Sequence, residues 1–317
     1  MGTLPLFDDP SSFDRERLKQ KLDGLARQRV FIGASSWKYE GWFGQIYSRD
    51  RYVSRGRFSK RRFEDECLAE YAETFPIVCG DFSFYQFPAE GYWKKLFGSA
   101  PRGLKFAFKV PEEITVKAFP LHARYGARAG EDNTSFLDAA IFQAMFLDPL
   151  RPWRGQIAVL ILEFGAFPRF CYKAASDFIA ELDPFLAALP VDFRYAIEIR
   201  NEEFLAPEYF ACLRHHGVAH VLNAWTRMPE LHDQIAMPEV YTADFTVVRA
   251  LLRRGRPYEQ AVAKFSPYQD VQDAYPEARQ AIRAVIGRAR DRNEPSYIFV
   301  NNRLEGNAPG TIEAIVT

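Results

Sequence analysis

Strand-like and helix-like segments alternate along this chain, and that alternation narrows the fold more than any other feature. Eight β-rich runs stand out: RVFIGASSW (29–37), PIVCGDFSFY (76–85), LKFAFKVP (104–111), QIAVLILEF (156–164), RYAIEIR (194–200), AHVLNAW (219–225), DFTVVRA (244–250) and SYIFVNN (296–302). Most of the segments between them repeat apolar residues at intervals of three and four, the period of a helix. SKRRFEDECLAEYAETF sets Phe63, Cys67, Leu68, Tyr71 and Phe75 on one face behind a Ser59 cap. SFLDAAIFQAMFLDPL predicts a helix capped by Ser135, and SDFIAELDPFLAAL one kinked at Pro184. YPEARQAIRAVIGRARDRN predicts a helix opened by Pro276, and PEYFACLRHHG a shorter one closed by Gly217.

Such alternation predicts parallel strands joined by crossover helices. IAVLIL and LKFAF are apolar nearly throughout, as strands buried on both faces must be. An open doubly wound sheet satisfies that condition equally well, so the count of eight decides. The predicted fold class is α/β, a TIM-type (β/α)8 barrel with parallel strands. Residues 1–28 read as an N-terminal extension whose FDRERLKQKLDGLARQ stretch forms one helix packed on the bottom of the barrel; residues 29–317 read as a single barrel domain.

The 317 residues are enough for a sizeable core, and 28 phenylalanines predict one rich in aromatic rings. Lys plus Arg and Asp plus Glu both number 41, which argues against wholesale binding to nucleic acid or membrane surfaces while leaving room for a local patch. Cys67, Cys79, Cys171 and Cys212 form no Cys-x-x-Cys pair and have apolar neighbours, the pattern of buried thiols in a reducing compartment. The start of the chain lacks the charge and apolar run of a signal peptide, and the longest apolar run, IAVLILEFGAF, is too short to span a bilayer. The expectation is a soluble cytoplasmic protein with no membrane partner; its oligomeric state cannot be read.

In barrels of this type, chemistry sits at the C-terminal ends of the strands. Every run here ends in polar or ionisable residues. They include Trp37 in the first, Asp81 and Tyr85 in the second, Lys109 in the third and Glu163 in the fourth. Glu198 and Arg200 close the fifth, Asn223 and Trp225 the sixth, Arg249 the seventh, and Asn301 and Asn302 the eighth. Side chains alternate along a strand, so Glu198 and Arg200 share one face with Ala196, while Tyr195, Ile197 and Ile199 share the other. A buried salt bridge that only rigidifies the barrel would account for that pair; eight converging polar ends predict a pocket instead. His215, His216 and His220 flank the turn at Gly217, at the bottom of a strand and away from this mouth.

Six ordered blocks resemble the DUF72, or YecE-like, family across about residues 30–315. They are FIGASSWKYEGWFGQIYS, YAETFPIVCGDFSFYQFP, LKFAFKVPEEIT, AIEIRNEEFL, VVR and IFVNNRLEGNAP. The resemblance implies a TIM-type barrel with a polar pocket at its C-terminal mouth, and no established reaction. This chain departs from the family pattern with Cys79 and Asp81 in the second strand, Val116 after Ile-Thr, and ALLRRG after the seventh-strand arginine.

Three kinds of chemistry follow from these residues. In the first, a small anionic, phosphorylated or sugar-like ligand is clamped by Arg200 and Arg249, whose guanidinium groups match phosphate and carboxylate geometry. Glu198, Lys109 and Asp81 are then the candidate catalytic residues, with Glu198 as acid or base and Lys109 steadying negative charge, for hydrolase- or lyase-type turnover. Asn301, Asn302, Glu163 and Asn223 would orient the ligand, and Trp37 and Tyr85 would stack on it. In the second, Asp81, Glu163 and Glu198 hold a divalent metal, although no cofactor or metal is the primary expectation. In the third, the basic stretch SRDRYVSRGRFSKRR, spanning loop 49–62, and the mouth carboxylates serve a nucleic-acid-binding or nuclease-like function. No nucleophile elbow, dinucleotide fingerprint or Walker loop is present.

Overall fold

The computed structural model describes residues 13–168 and 170–317. Eight parallel strands close into one barrel: β1 (Val30–Ala34), β2 (Ile77–Gly80), β3 (Lys105–Lys109), β4 (Ile157–Phe164), β5 (Tyr195–Ile199), β6 (Ala219–Ala224), β7 (Thr246–Ala250) and β8 (Ser296–Val300). Each pairs with its sequence neighbours, and β8 pairs with β1 to shut the ring. This is the predicted (β/α)8 architecture. Of the N-terminal extension, residues 1–12 lie outside the described part. The remainder forms α1 (Arg15–Arg27), capped by Asp14 and packed on β1 and the C-terminal helix.

The principal outer helices are α2 (Lys60–Tyr71), α3 (Glu90–Ser99), α4 (Ala175–Ala187), α5 (Pro207–His215), α6 (Pro276–Arg292) and α7 (Ala308–Val316). Ser59 caps α2 as expected, and α5 is followed by Gly217 at a positive φ of 64°. α4 continues through Pro184. One expected cap is corrected. The helix after β3 begins at Ala139 behind Asp138, whose carboxylate accepts from the Ile141 amide at 2.8 Å. Ser135 lies too early because Leu137 takes a positive φ of 52°, which no continuous helix tolerates.

The alternation in RYAIEIR resolves into two apolar layers. Tyr195, Ile197 and Ile199 belong to the large cluster between strands and helices. Ala196 belongs to a separate cluster with Cys79, Ile161, Val221, Val247 and Phe299, formed by inward-facing positions of the strands. That cluster fills the barrel to the level of Ala196. Above it, at the C-terminal end, the inward positions turn polar. Closure needs one glycine: a Cβ on Gly33 would lie 1.9 Å from the Ile77 carbonyl oxygen, where β1 meets β2. The Tyr71 hydroxyl spans the same seam, accepting from the Ala34 amide at 2.8 Å and donating to the Ile77 carbonyl at 2.9 Å.

Several runs are shorter than expected, and β1 stops at Ala34 with Trp37 beyond it. β2 stops at Gly80, and residues 82–84 form a 3-10 turn, so Asp81 and Tyr85 are not on the strand. Ser83 enforces the turn by donating to the Lys109 carbonyl at 2.7 Å. β8 stops at Val300, which puts Asn301 and Asn302 at the start of a helical turn.

Candidate functional site

The C-terminal mouth holds one continuous ion network. Arg249, on β7, is its centre. Its Nη1 binds Glu163 Oε2 at 2.6 Å and also Glu198 Oε2, and its Nη2 reaches Asp81 Oδ1 at 3.4 Å. Glu163 also receives Lys109 Nζ and Arg200 Nη2, each at 2.9 Å. Arg200 Nη2 returns to Glu198 at 3.0 Å. Strand register sets this up, because Glu163 and Glu198 are partners across β4 and β5. Three carboxylates and three cations balance, so the layer is neutral as a unit.

The network is covered rather than open. Glu198, Arg249, Glu163 and Lys109 are buried. Phe84 lies over Lys109, its ring centre 3.6 Å from Nζ, and Trp225 stacks on Arg200 at 3.8 Å. Solvent reaches it at Asp81, whose side chain is 33% exposed, and more narrowly at Arg200. Burial works against the charge on Glu163. The surrounding Arg200, Lys109 and Arg249 overcome it and hold the carboxyl well below the usual carboxylate range. Arg249 shows the same contest: burial opposes its charge, and Glu198 and Glu163 more than restore it.

The other expected residues are placed as follows. Asn223 faces inward beside Arg249 in register and donates to the Ile199 carbonyl at 3.2 Å; its Oδ1 has no hydrogen-bond partner among the described residues. The Gln234 side-chain amide pins the Asn223 backbone, accepting from its N–H and donating to its carbonyl. Asn301 caps the turn that follows β8, accepting from the Arg303 amide. Asn302 accepts from Trp42 Nε1 and from the Ala308 amide, so its side chain anchors α7. Trp37 is buried edge-on to Phe82. Tyr85 is exposed at the rim beneath Arg124. The structure therefore brings Asp81, Lys109, Glu163, Glu198, Arg200 and Arg249 together, with Asn223 alongside, and leaves Trp37 and Asn302 in packing roles.

Sequence reading missed Phe84, because it lies on the turn that replaces the end of the second run. It also missed the cluster of Glu112, Arg124 and Tyr125, in which Arg124 and Tyr125 both bind Glu112 Oε2. Arg124 is 12 residues beyond Glu112 in a loop, where no spacing rule applies.

A closed (β/α)8 barrel with a buried charged layer at its C-terminal mouth is the class of protein that this fold and site define. A family model described as "Protein of unknown function DUF72" matches residues 31–317, and the chain belongs to that family. No curated protein matches it. Among solved structures, a DUF72 family protein from Thermotoga maritima is similar at TM-score 0.61 and 18% identity, covering 90% of this chain and 97% of that one. A DUF72 family protein from Enterococcus faecalis is similar at TM-score 0.58 and 14% identity, covering 90% and 95%. At such identity the likeness shows the fold. No helix among the described residues is long and apolar enough to cross a membrane.

Proposed function

We propose that the mouth binds a small anionic ligand, phosphorylated or sugar-like, with Arg200 as its anchor and Asp81 as the group that exchanges protons with it. Support comes from the free donor on Arg200. Its Nε and Nη2 are committed to Glu198 and Glu163, while Nη1 has no partner among the described residues. Trp225 holds the guanidinium plane from behind. A clamp formed by Arg200 and Arg249 together has less support, because Arg249 is enclosed by three carboxylates. Glu198 and Glu163 then act as positioning residues that fix both arginines, and Asp81 is the carboxylate of the three that solvent reaches. A buried ionic layer stabilises a barrel less than apolar packing would. Its position where such folds do chemistry favours a functional origin. Hydrolase- or lyase-type turnover would use Asp81 as acid or base. Four free cysteines fit a reducing, cytoplasmic setting, three of them buried and Cys171 half-buried.

The test is titration of inorganic phosphate and small phosphorylated sugars, read by thermal shift and calorimetry. Wild type should bind at least one of them with salt-sensitive affinity, and Arg200→Gln should lose that binding while keeping its fold. Equal binding by Arg200→Gln, or no shift with any of these anions, overturns the reading.

The nucleic-acid alternative has weaker support. In the basic segment, Arg51 binds Glu73 at 2.6 Å, Arg62 binds Glu66 at 2.9 Å, Arg61 pairs with Asp65, and Arg49 stacks on Phe58. A divalent metal at the mouth would compete with Arg249, whose guanidinium lies where the three carboxylates would share it.

A further inference from the structure

Cys212 and His216 stand four residues apart at the C-terminal end of α5, and Asp183 faces them from α4. The Cys212 thiol points at Asp183 Oδ1 at 3.7 Å, and His216 Nε2 meets the same oxygen at 2.8 Å. One sulfur, one imidazole nitrogen and one carboxylate oxygen thus lie within 4.8 Å of one another. α5 leads into the N-terminal end of β6, so this trio lies at the end of the barrel opposite the ion network.

We propose that Asp183, Cys212 and His216 form a Zn²⁺ site that joins α4 to α5. Zinc bonds of about 2.0–2.3 Å in a tetrahedron set donor atoms about 3.3–3.6 Å apart. The sulfur–oxygen separation already matches. The nitrogen–oxygen pair must open by about half an ångström, and Asp183, with a half-exposed side chain, is free to make that adjustment. A thiolate with an imidazole selects zinc over magnesium or calcium, which prefer all-oxygen shells. As the sulfur–zinc bond forms, the thiol proton leaves to water. The imidazole presents its Nε2 lone pair with its proton on Nδ1, and no electron changes hands. A solvent molecule fills the fourth position, since Asp183 lies at the surface. The nearest further imidazole is His215, edge-on at 4.8 Å between ring centres.

The test uses the full chain, stripped with a chelator, reloaded with Zn²⁺ or Co²⁺ and passed through a desalting column. Wild type should retain about one metal per chain, and the cobalt form should show thiolate-to-metal charge-transfer absorption in the near ultraviolet. Cys212→Ser should abolish that absorption, and Cys171→Ser should leave it intact. Asp183→Asn should also lose retained metal, and because that position is exposed the loss cannot be ascribed to unfolding. No retained metal in wild type, or equal retention in Cys212→Ser and Asp183→Asn, overturns the proposal.

Discussion

Arg249 and Glu163, 86 residues apart in sequence and on strands three apart in the ring, meet at 2.6 Å across the barrel interior. That bond ties the two halves of the barrel together at the mouth. Removing the guanidinium leaves Glu163, Glu198 and Asp81 facing one another with Lys109 and Arg200 as the remaining cations. Arg249→Met should therefore lower unfolding free energy by about 3–5 kcal/mol, as expected when one member of a buried ion set is deleted. Adding Glu198→Gln should recover part of the loss, because it restores the balance between the remaining carboxylates and the two remaining cations, Lys109 and Arg200. Urea denaturation of the two single variants and the double variant measures this. Strict additivity would mean that the pair is not coupled.

Glu163 sets a pH dependence with a definite sign. Its folded-state carboxyl lies well below the ordinary value of 4.5, because its three cationic neighbours outweigh its burial. The stabilisation it provides is fully present above the unfolded value and is lost as pH falls below about 4.5 toward the lower folded one. Glu163→Gln should accordingly be less stable than wild type at pH 7 and show a flatter loss of stability below pH about 4.5. Melting temperatures from pH 7 to 3 decide between this and an unchanged acid limb.

His220 acts in a different window. It lies on the outer face of β6, with Tyr209 at Nδ1 and no partner at Nε2 among the described residues. Burial pushes its pKa down from 6.5 to about 3, so the folded chain keeps it neutral while the unfolded chain takes up a proton. Stability should fall as pH drops from 6.5, by about 1.4 kcal/mol per unit once below the unfolded value, until about pH 3. His220→Leu should remove this slope between pH 6.5 and 5, above the range in which Glu163 contributes. A slope equal to wild type's in that interval would assign it to other groups.

The barrel was legible in the sequence because its eight strand-like runs could be counted between helical segments, and strand periodicity survives any choice of loop. Lys109, Glu163, Glu198 and Arg249 were legible for the same reason: strand alternation alone sends them inward. Asp81 was also found, although it lies just beyond its strand. Tyr85 and Trp37 lie beyond the strands expected to carry them, because the sequence does not reveal where a strand gives way to a turn. The Ser83 hydroxyl closes one such turn against the Lys109 and Gly80 carbonyls, which leaves Tyr85 on the rim. The cover over the network, Phe84 on Lys109 and Trp225 on Arg200, lies beyond the strand ends, where contacts depend on the assembled barrel rather than on local spacing.

Closure at the β1–β2 seam makes Gly33 the position least able to accept a side chain. A Cβ there would press into the backbone of Ile77 and also lie 2.9 Å from the Tyr71 hydroxyl that bridges the strands. Backbone cannot yield as a flexible side chain can. Gly33→Ala should destabilise by about 3 kcal/mol or more, the upper end for overpacking. Tyr71→Phe, which loses the bridge but fits the space, should cost only about 1 kcal/mol for each hydrogen bond removed. Chemical denaturation of both variants gives the comparison, and a milder effect for Gly33→Ala would show that the seam can spread.

The basic segment offers a quantitative check on the nucleic-acid alternative. Each phosphate neutralised by a lysine or arginine steepens the dependence of log affinity on log salt by about 0.9 for duplex DNA. Seven free cations would give a slope near −6. Lys60, Arg61 and Arg62 pair with Glu64, Asp65 and Glu66 along α2, Arg51 is held by Glu73, and Arg49 lies against Phe43 and Phe58. Arg55 and Arg57, at the hairpin between residues 53 and 58, have no charged partner among the described residues. Arg49, stacked on rings, keeps its charge unpaired among the described residues as well, so any duplex binding should be weak, with a slope no steeper than about −3. Fluorescence anisotropy with a labelled duplex across a range of salt concentrations measures it. A slope near −6 would mean that the ion pairs along α2 open on contact with DNA, and would place ligand binding at this loop rather than at the mouth of the barrel.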